Sequence, residues 1–218
     1  MKTLSHHLTD ETLLDYSAGV LNAPMETLIA CHLTICPYCR QRLELADAIA
    51  GLSLNDGAAV SMKASAQDIL ALDNTTAAKD KVTKTPIAAG IGVPNPLARL
   101  LPGPLHELPW KSFGPGMKQF NLSTQSRKEG AFKLISLDPG SRMSKHSHEH
   151  RELTFIISGS YSDELDHFKA GDIADLSADH HHTPHVDSTV PCICLIATDA
   201  PVKFESLFAK IVQPFIGI

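Results

Sequence analysis

The sequence predicts an α+β protein of two domains, with a helical N-terminal domain and a C-terminal β-barrel domain. Apolar residues in the first third recur at helical spacing between capping signals. Short segments that alternate apolar and polar residues follow after residue 110. A stretch rich in Pro and Gly separates the two patterns and indicates a linker. The predicted boundaries are 1–75 for the helical domain, 76–96 for the linker and 97–218 for the β domain.

The composition is typical of a folded protein, with 43% apolar and 20% charged residues in a chain of 218. No apolar run approaches the roughly 20 residues that cross a bilayer, and the first residues do not resemble a signal peptide. We therefore expect a cytoplasmic protein without membrane attachment. Its five cysteines then favour metal or redox chemistry over disulfides. The net charge of -5, without a Lys/Arg cluster, argues against direct binding of nucleic acid.

Helices are predicted at about residues 10–19, 24–35 and 37–51, with a weaker one at 61–72. Thr9 can cap the first helix and Gly19 can close it. Asn22 or Ala23 can cap the second helix, which begins near a proline. The apolar positions of this second helix place His32 on its buried face.

The segment His32-Leu-Thr-Ile-Cys36-Pro-Tyr-Cys39 places one imidazole and two thiols within eight residues. The two thiols lie at the start of the third helix and can reach one ion, while His32 supplies a third ligand from the end of the second helix. Thiolates and imidazole in a tetrahedral set suit Zn(II). The fourth ligand must come from elsewhere, and His6 and His7 are the candidates.

Other interpretations of this segment stay open. Cys-Pro-Tyr-Cys also resembles a thioredoxin-type redox pair, although no strand is predicted before Cys36, as that motif requires. Cys36 and Cys39 could instead be core residues without a metal. Cys31 is a weaker ligand candidate, because neighbouring residues on a helix point about 100° apart.

The run His7-Leu-Thr-Asp-Glu-Thr-Leu-Leu-Asp-Tyr-Ser-Ala-Gly19, followed by His32-x3-Cys36-x2-Cys39, resembles the zinc-binding anti-sigma domains. In that family the histidine ahead of the first helix is the remaining ligand. The resemblance therefore implies a zinc site of His7, His32, Cys36 and Cys39. It also implies a domain that wraps around a group IV (extracytoplasmic-function) sigma factor and keeps it from core RNA polymerase.

Strands are predicted at 117–122, 131–138, 153–160, 171–176, 183–186 and 192–198, which suggests a sandwich or small barrel. Within them, residues 140–159 follow the pattern Gly-x5-His-x-His-x3-Glu-x6-Gly. His146 and His148 share one face of a strand, and the carboxylate of Glu152 can turn to the same side. His182 lies eleven residues after Gly171. Imidazoles with a carboxylate bind Zn(II), Mn(II), Fe(II) or Ni(II).

The pattern at 140–159 resembles the first cupin motif without a gap. The segment from Gly171 resembles the second motif loosely, since Ser177 and Asp179 replace its usual Pro and Gly. The resemblance implies a cupin β-barrel over about residues 97–198 and favours zinc as its metal. The implied ligands are His146, His148, Glu152 and His182. A cupin without metal is the alternative, in which Glu152 is an ordinary strand carboxylate.

Other polar residues of the β domain have simpler interpretations. His181 and His182 cannot both point inward, so a solvated His181 is expected. Arg151 is expected to be exposed. Cys192 and Cys194 share a strand face, where they are either small core residues or a thiol sensor near the metal; a disulfide between them would be strained.

A zinc anti-sigma domain followed by one cupin is similar to the ChrR family of cupin-containing anti-sigma factors. That family pairs with group IV sigma factors in the response to singlet oxygen. The resemblance implies a negative regulator of transcription, whose cupin domain is needed for the stress signal to release the sigma factor. The alternative is a metal-dependent cupin enzyme, such as a dioxygenase or isomerase. The oligomeric state is not predicted.

Overall fold

The computed structural model describes residues 4–55, 57, 65, 67–68, 92–122, 130–148, 151–176, 181–199 and 202–204. For residues 53, 55, 146–148 and 202–204 the backbone alone is described. The predicted helix at 61–72 and the linker at 76–96 lie largely outside these residues. The division into domains at 75 and 96 therefore stays a prediction.

The helices of the first third begin and end close to the predicted positions. They are α1 (Asp10–Ser17), α2 (Ala23–Leu33) and α3 (Pro37–Asn55), followed later by the short α4 (Asn95–Ala98) and a 3-10 turn (Leu105–Glu107). The side chain of Thr9 accepts a hydrogen bond from the Thr12 amide at 3.2 Å. Asn22 caps α2 in the same way, accepting from the Met25 amide at 3.0 Å. Both predicted caps are confirmed, because each satisfies an amide that the first turn leaves without a partner.

The C-terminal part is built from short antiparallel strands. They are β1 (Lys111–Gly114), β2 (Met117–Asn121), β3 (Phe132–Leu137), β4 (His146–His148), β5 (Glu152–Ser158), β6 (Ser160–Ser162), β7 (His167–Lys169), β8 (Ile173–Leu176), β9 (His185–Val186), β10 (Cys192–Thr198) and β11 (Val202–Phe204).

These strands form three sheets. The largest has the order β1-β2-β3-β10-β5-β8, and the smaller ones are β7-β6-β9 and β11-β4. This is the sheet-rich, cupin-like domain that the sequence predicts. Among the described residues the sheets do not close into a barrel, so closure was not confirmed.

The helical part packs directly on the large sheet. Leu28 and Ile29 of α2 belong to the same buried cluster as Phe155 of β5 and Leu195 of β10. Ile156, the neighbour of Phe155, points to the opposite face and packs in a second cluster against the three-stranded sheet. Because side chains alternate along a strand, β5 and β10 contribute to a core on each face of the sheet.

Arg151 joins the two parts of the chain, and the expectation that it is exposed was wrong. Its guanidinium lies 2.7 Å from the Asp15 carboxylate and 3.0 Å from that of Glu11, both on α1. The side chain is mostly covered because α1 lies across the start of β5. Burial opposes the charged form, but the hydrogen bond and charge of Asp15 leave the pKa of Arg151 raised.

Candidate metal centres

Four predicted ligands meet where α1, α2 and α3 begin or end. The side-chain nitrogen or sulfur atoms of His7, His32, Cys36 and Cys39 all lie within 4.8 Å of one another. His32 Nε2 is 3.3 Å from Cys39 Sγ, and His7 Nδ1 is 3.3 Å from Cys36 Sγ. Apart from the half-buried His7, these side chains are buried. The structure thus brings together residues that are 32 positions apart in the sequence.

Three separations between ligand atoms match those of a tetrahedral zinc site. Zinc bonds to sulfur at about 2.3 Å and to nitrogen at about 2.0 Å, so neighbouring ligand atoms in a tetrahedron lie about 3.3–3.8 Å apart. The two 3.3 Å contacts and the 3.8 Å between His7 Nδ1 and Cys39 Sγ meet this requirement. Four protein ligands fill the tetrahedron, which is typical of a structural rather than a catalytic zinc.

The local backbone places the ligands. The amides of Ile35 and Cys36 donate to the His32 carbonyl, which folds the chain tightly between α2 and α3. The Cys39 amide points at Cys36 Sγ, 3.4 Å away, at the N-terminus of α3. Amide groups and the positive end of a helix dipole favour a thiolate at this position.

Burial favours the neutral forms of His32 and Cys39. It lowers the pKa of His32 to about 4, although the hydrogen bond to the Gly171 carbonyl opposes this. It raises the pKa of Cys39 to about 12. A neutral imidazole is the form that binds metal, whereas thiolates in this environment need a positive ion beside them. Cys31 is buried too, with its pKa raised to about 12, and is not in the cluster.

We expect zinc binding here to release protons. The ion binds cysteine as thiolate, and the raised pKa of Cys39 keeps that thiol protonated at neutral pH. Loading should therefore release up to about two protons per zinc, and affinity should fall as the pH falls. A zinc titration in weak buffer with a pH indicator measures this. Cys39→Ser should release about one proton fewer, and loading without any proton release would contradict the assignment.

The second predicted centre is described only in part. Glu152 and His182 are buried and line one cavity, whose volume of about 40 Å³ has room for an ion or a few waters. Thr154 Oγ1 donates to the Glu152 carboxylate at 3.2 Å. His146 and His148 lie on β4, which pairs with β11, but their side chains are not among the described atoms. The full ligand set therefore stays a prediction.

His182 is oriented by a residue that the sequence did not single out. Its Nδ1 lies 2.9 Å from the buried carboxylate of Asp163. A carboxylate at Nδ1 fixes the tautomer whose Nε2 carries the lone pair, which is the usual arrangement of a metal-binding histidine. The alternation argument is also confirmed, since His181 is exposed and His182 is buried. No spacing rule would have indicated Asp163, because the contact is made between two loops.

A buried lysine and a buried cysteine also line this cavity. Lys133 of β3 is fully buried on its wall and donates to Gln119 Oε1 at 3.1 Å. Cys194 also lines the cavity, and its sulfur lies 3.5 Å from that of Cys192. The hydrogen bond with Cys192 and burial both raise the pKa of Cys194, so it is a thiol rather than a thiolate.

Within the described residues, no helix is both long and apolar enough to cross a membrane.

Comparison with known proteins gives a family match to the β part and two matches over most or all of the chain. A family model described as the ChrR cupin-like domain matches residues 103–200. The anti-sigma-E factor ChrR of Cereibacter sphaeroides is 34% identical over 219 residues, which cover 99% of this chain and 100% of that protein. The crystal structure of Rhodobacter sphaeroides SigE in complex with the anti-sigma ChrR matches 90% of this chain and 100% of the matched chain, with 31% identity and a TM-score of 0.74.

Proposed function

The chain belongs to the ChrR family of anti-sigma factors, and from that relationship we propose that it sequesters a group IV sigma factor and so represses transcription. The observation that carries the proposal is similarity over the whole chain, with the helical part included. A cupin enzyme has no use for that helical part, so the match favours a regulatory binding protein over a dioxygenase or isomerase. Because a sigma factor works with RNA polymerase, we infer that the protein acts in the cytoplasm.

The long helix α3 supplies a surface for the sigma factor. Leu45, Ile49 and Leu52 recur at helical spacing and are 56%, 52% and 68% exposed. Three large apolar side chains on one face of a helix suit a partner that covers them. Because α3 begins at Pro37, with Cys36 just before it and Cys39 in its first turn, the position of this face depends on the zinc cluster.

Zinc in the helical part has a structural role in this proposal. Bound to His7, His32, Cys36 and Cys39, it supplies a fixed link between the segment ahead of α1 and the junction of α2 with α3. The helical part is small, and it packs on the sheet as well as on itself. A structural zinc site therefore contributes much of the order that the sigma-binding surface needs.

Release on oxidative stress, of the singlet-oxygen type, is assigned to the β domain. Glu152, His182 and Cys194 line one cavity of this domain. A chemical change at a bound metal, or at the thiols of Cys192 and Cys194, would therefore change the structure of the same cavity. Changing a complex from mostly bound to mostly free takes roughly 5 kcal/mol of differential affinity. The family resemblance favours zinc at this second site, and an imidazole–carboxylate ligand set could also take Mn, Fe or Ni.

The function is tested by co-expressing the full-length chain with group IV sigma factors from the same genome. We expect one of them to co-purify in a stable complex and its transcription by core RNA polymerase to be inhibited. Purified chain that neither binds nor inhibits any of these sigma factors would contradict the proposal.

The second metal centre makes its own prediction. The full-length protein should carry about two metal ions per chain, and His182→Ala should reduce this to about one because the cupin set loses a ligand. His181→Ala is the matched control, since it removes an exposed imidazole next in sequence and should leave the metal content unchanged. Metal content is measured by plasma mass spectrometry. If the two variants contain the same amount of metal per chain, His182 is not a metal ligand.

A further inference from the structure

The turn at residues 170–172, between β7 and β8, contacts the zinc cluster through hydrogen bonds. It belongs to neither predicted metal site. Its first contact is with His32, whose Nδ1 lies 3.2 Å from the Gly171 carbonyl oxygen in a buried position. A carbonyl only accepts, so Nδ1 carries the proton and Nε2 is the ligand atom facing Cys39. The β domain therefore sets the tautomer and ring orientation of a zinc ligand.

Asp172 holds the segment that carries the other histidine. Its carboxylate is fully buried and accepts from the amides of Ser5 at 2.8 Å and His6 at 3.3 Å. The second oxygen lies 3.2 Å from His6 Nδ1 and also accepts from the Lys169 amide. A buried carboxylate with four polar contacts is costly to disturb, because each lost contact leaves the charge less compensated.

Asp175 holds the chain on the other side of His7. Its Oδ2 accepts from both the amide and the hydroxyl of Thr9, each at 2.9 Å. Residues 5, 6 and 9 are therefore fixed to the turn and to β8, and His7 lies between them. Both histidines of the cluster are thus positioned from the β domain, whereas the two cysteines are positioned by their own helix.

The same turn is tied to strand β5. The Gly171 amide donates to the Ile156 carbonyl at 2.8 Å, and the Ile156 amide donates to the Asp172 carbonyl at 3.0 Å. Strand β5 begins at Glu152, on the wall of the cavity. Because β5 also pairs with β8 from Glu152 to Phe155, backbone pairing connects the cavity wall to the turn that positions His7 and His32.

We propose that the 170–172 turn is a positioning element of the helical metal centre, in which the Asp172 carboxylate fixes His7 and the Gly171 carbonyl fixes His32. The inference rests on the zinc centre proposed above. A movement of this turn would weaken zinc binding without any change to the four ligands themselves. The sigma-binding surface would then lose the order that the zinc provides.

The test uses full-length protein loaded with Co(II), because charge-transfer absorption between cobalt and thiolate reports on a site with thiolate ligands, such as Cys36 and Cys39, whereas the predicted ligands of the cupin site are His and Glu. Loss of this absorption after addition of excess EDTA gives the release rate. Asp172→Ala should accelerate release at least about tenfold, because it frees the segment that carries His7, and loss of the groups that position a metal ligand typically has an effect of this size. Asp172→Asn keeps the shape and one acceptor oxygen and should give an intermediate rate.

Asp187→Ala is the matched control. It also removes an aspartate of the β domain, and the described partners of Asp187, which are Ser160, Ser162 and His167, all belong to that domain. Its release rate should stay within about twofold of the wild type. Wild-type rates in folded Asp172→Ala would overturn the inference, as would wild-type rates in Asp172→Asn if the alanine variant fails to fold. Absence of the cobalt–thiolate band in the wild type would instead refute the zinc centre itself.

Discussion

Replacing Cys36 and Cys39 together by serine should abolish both zinc binding by the helical part and capture of the sigma factor. Serine is isosteric but is not a thiolate donor, so two of the four ligands are lost. Structural zinc contributes about 10 kcal/mol or more to the folding of small domains, well above the roughly 5 kcal/mol needed to shift a complex from bound to free. We therefore expect no measurable co-purification of sigma factor, with the zinc content of the protein reduced by about one ion per chain.

The matched control for the double variant is Cys31→Ser. Cys31 is equally buried, one position before His32, but its sulfur is not part of the cluster. The control should keep its zinc and bind sigma factor, with at most a modest loss of stability from a buried hydroxyl. Co-purification and zinc content are measured on both proteins side by side. Tight sigma binding by the double variant would contradict a structural role for zinc.

The local features could be predicted because they depend on residues close together in the chain. Thr9 and Asn22 are capping residues at the right distance from an apolar stripe, and the caps are present. The spacing of His32, Cys36 and Cys39 places three ligands on two adjoining helix ends, and the structure brings them together. His7 was reached only through family resemblance, since spacing alone did not distinguish it from His6. In the structure His6 is engaged by Asp172 and His7 by the cysteines.

The contacts between the helical and β parts could not be predicted, because they join residues more than a hundred positions apart. Arg151 was expected to be exposed, yet it pairs with two acidic residues of α1. Gly171 and Asp172 were noted only as part of a loose cupin motif. The composition of the linker predicted two domains, but no sequence pattern indicated that α2 shares a core with β5 and β10. Periodicity identifies which face of an element is buried, but not which other element covers it.

Introducing negative charge on the exposed face of α3 should greatly weaken binding of the sigma factor with little effect on the stability of the protein. Leu45→Glu with Leu52→Glu puts two carboxylates on the proposed sigma-binding face while keeping residues of good helix propensity. Apolar anchors at an interface each contribute about 2 kcal/mol or more, so the double variant should lose affinity for sigma factor by at least about a hundredfold. Its stability should change by less than about 1 kcal/mol, because both side chains are exposed in the free protein.

Leu165→Glu is the control for this pair, because it charges an exposed leucine between β6 and β7, on the β domain. Affinity is measured by titration calorimetry with the cognate sigma factor, and zinc content and thermal unfolding are followed in the same samples. We expect the control to bind like the wild type and the α3 variant to retain its zinc. Lower affinity with unchanged zinc content would show that the α3 face contacts the sigma factor directly and that zinc acts by positioning this face. Wild-type affinity in the α3 variant would mean that the sigma factor binds another surface of the protein. The assignment of the zinc site would not be affected.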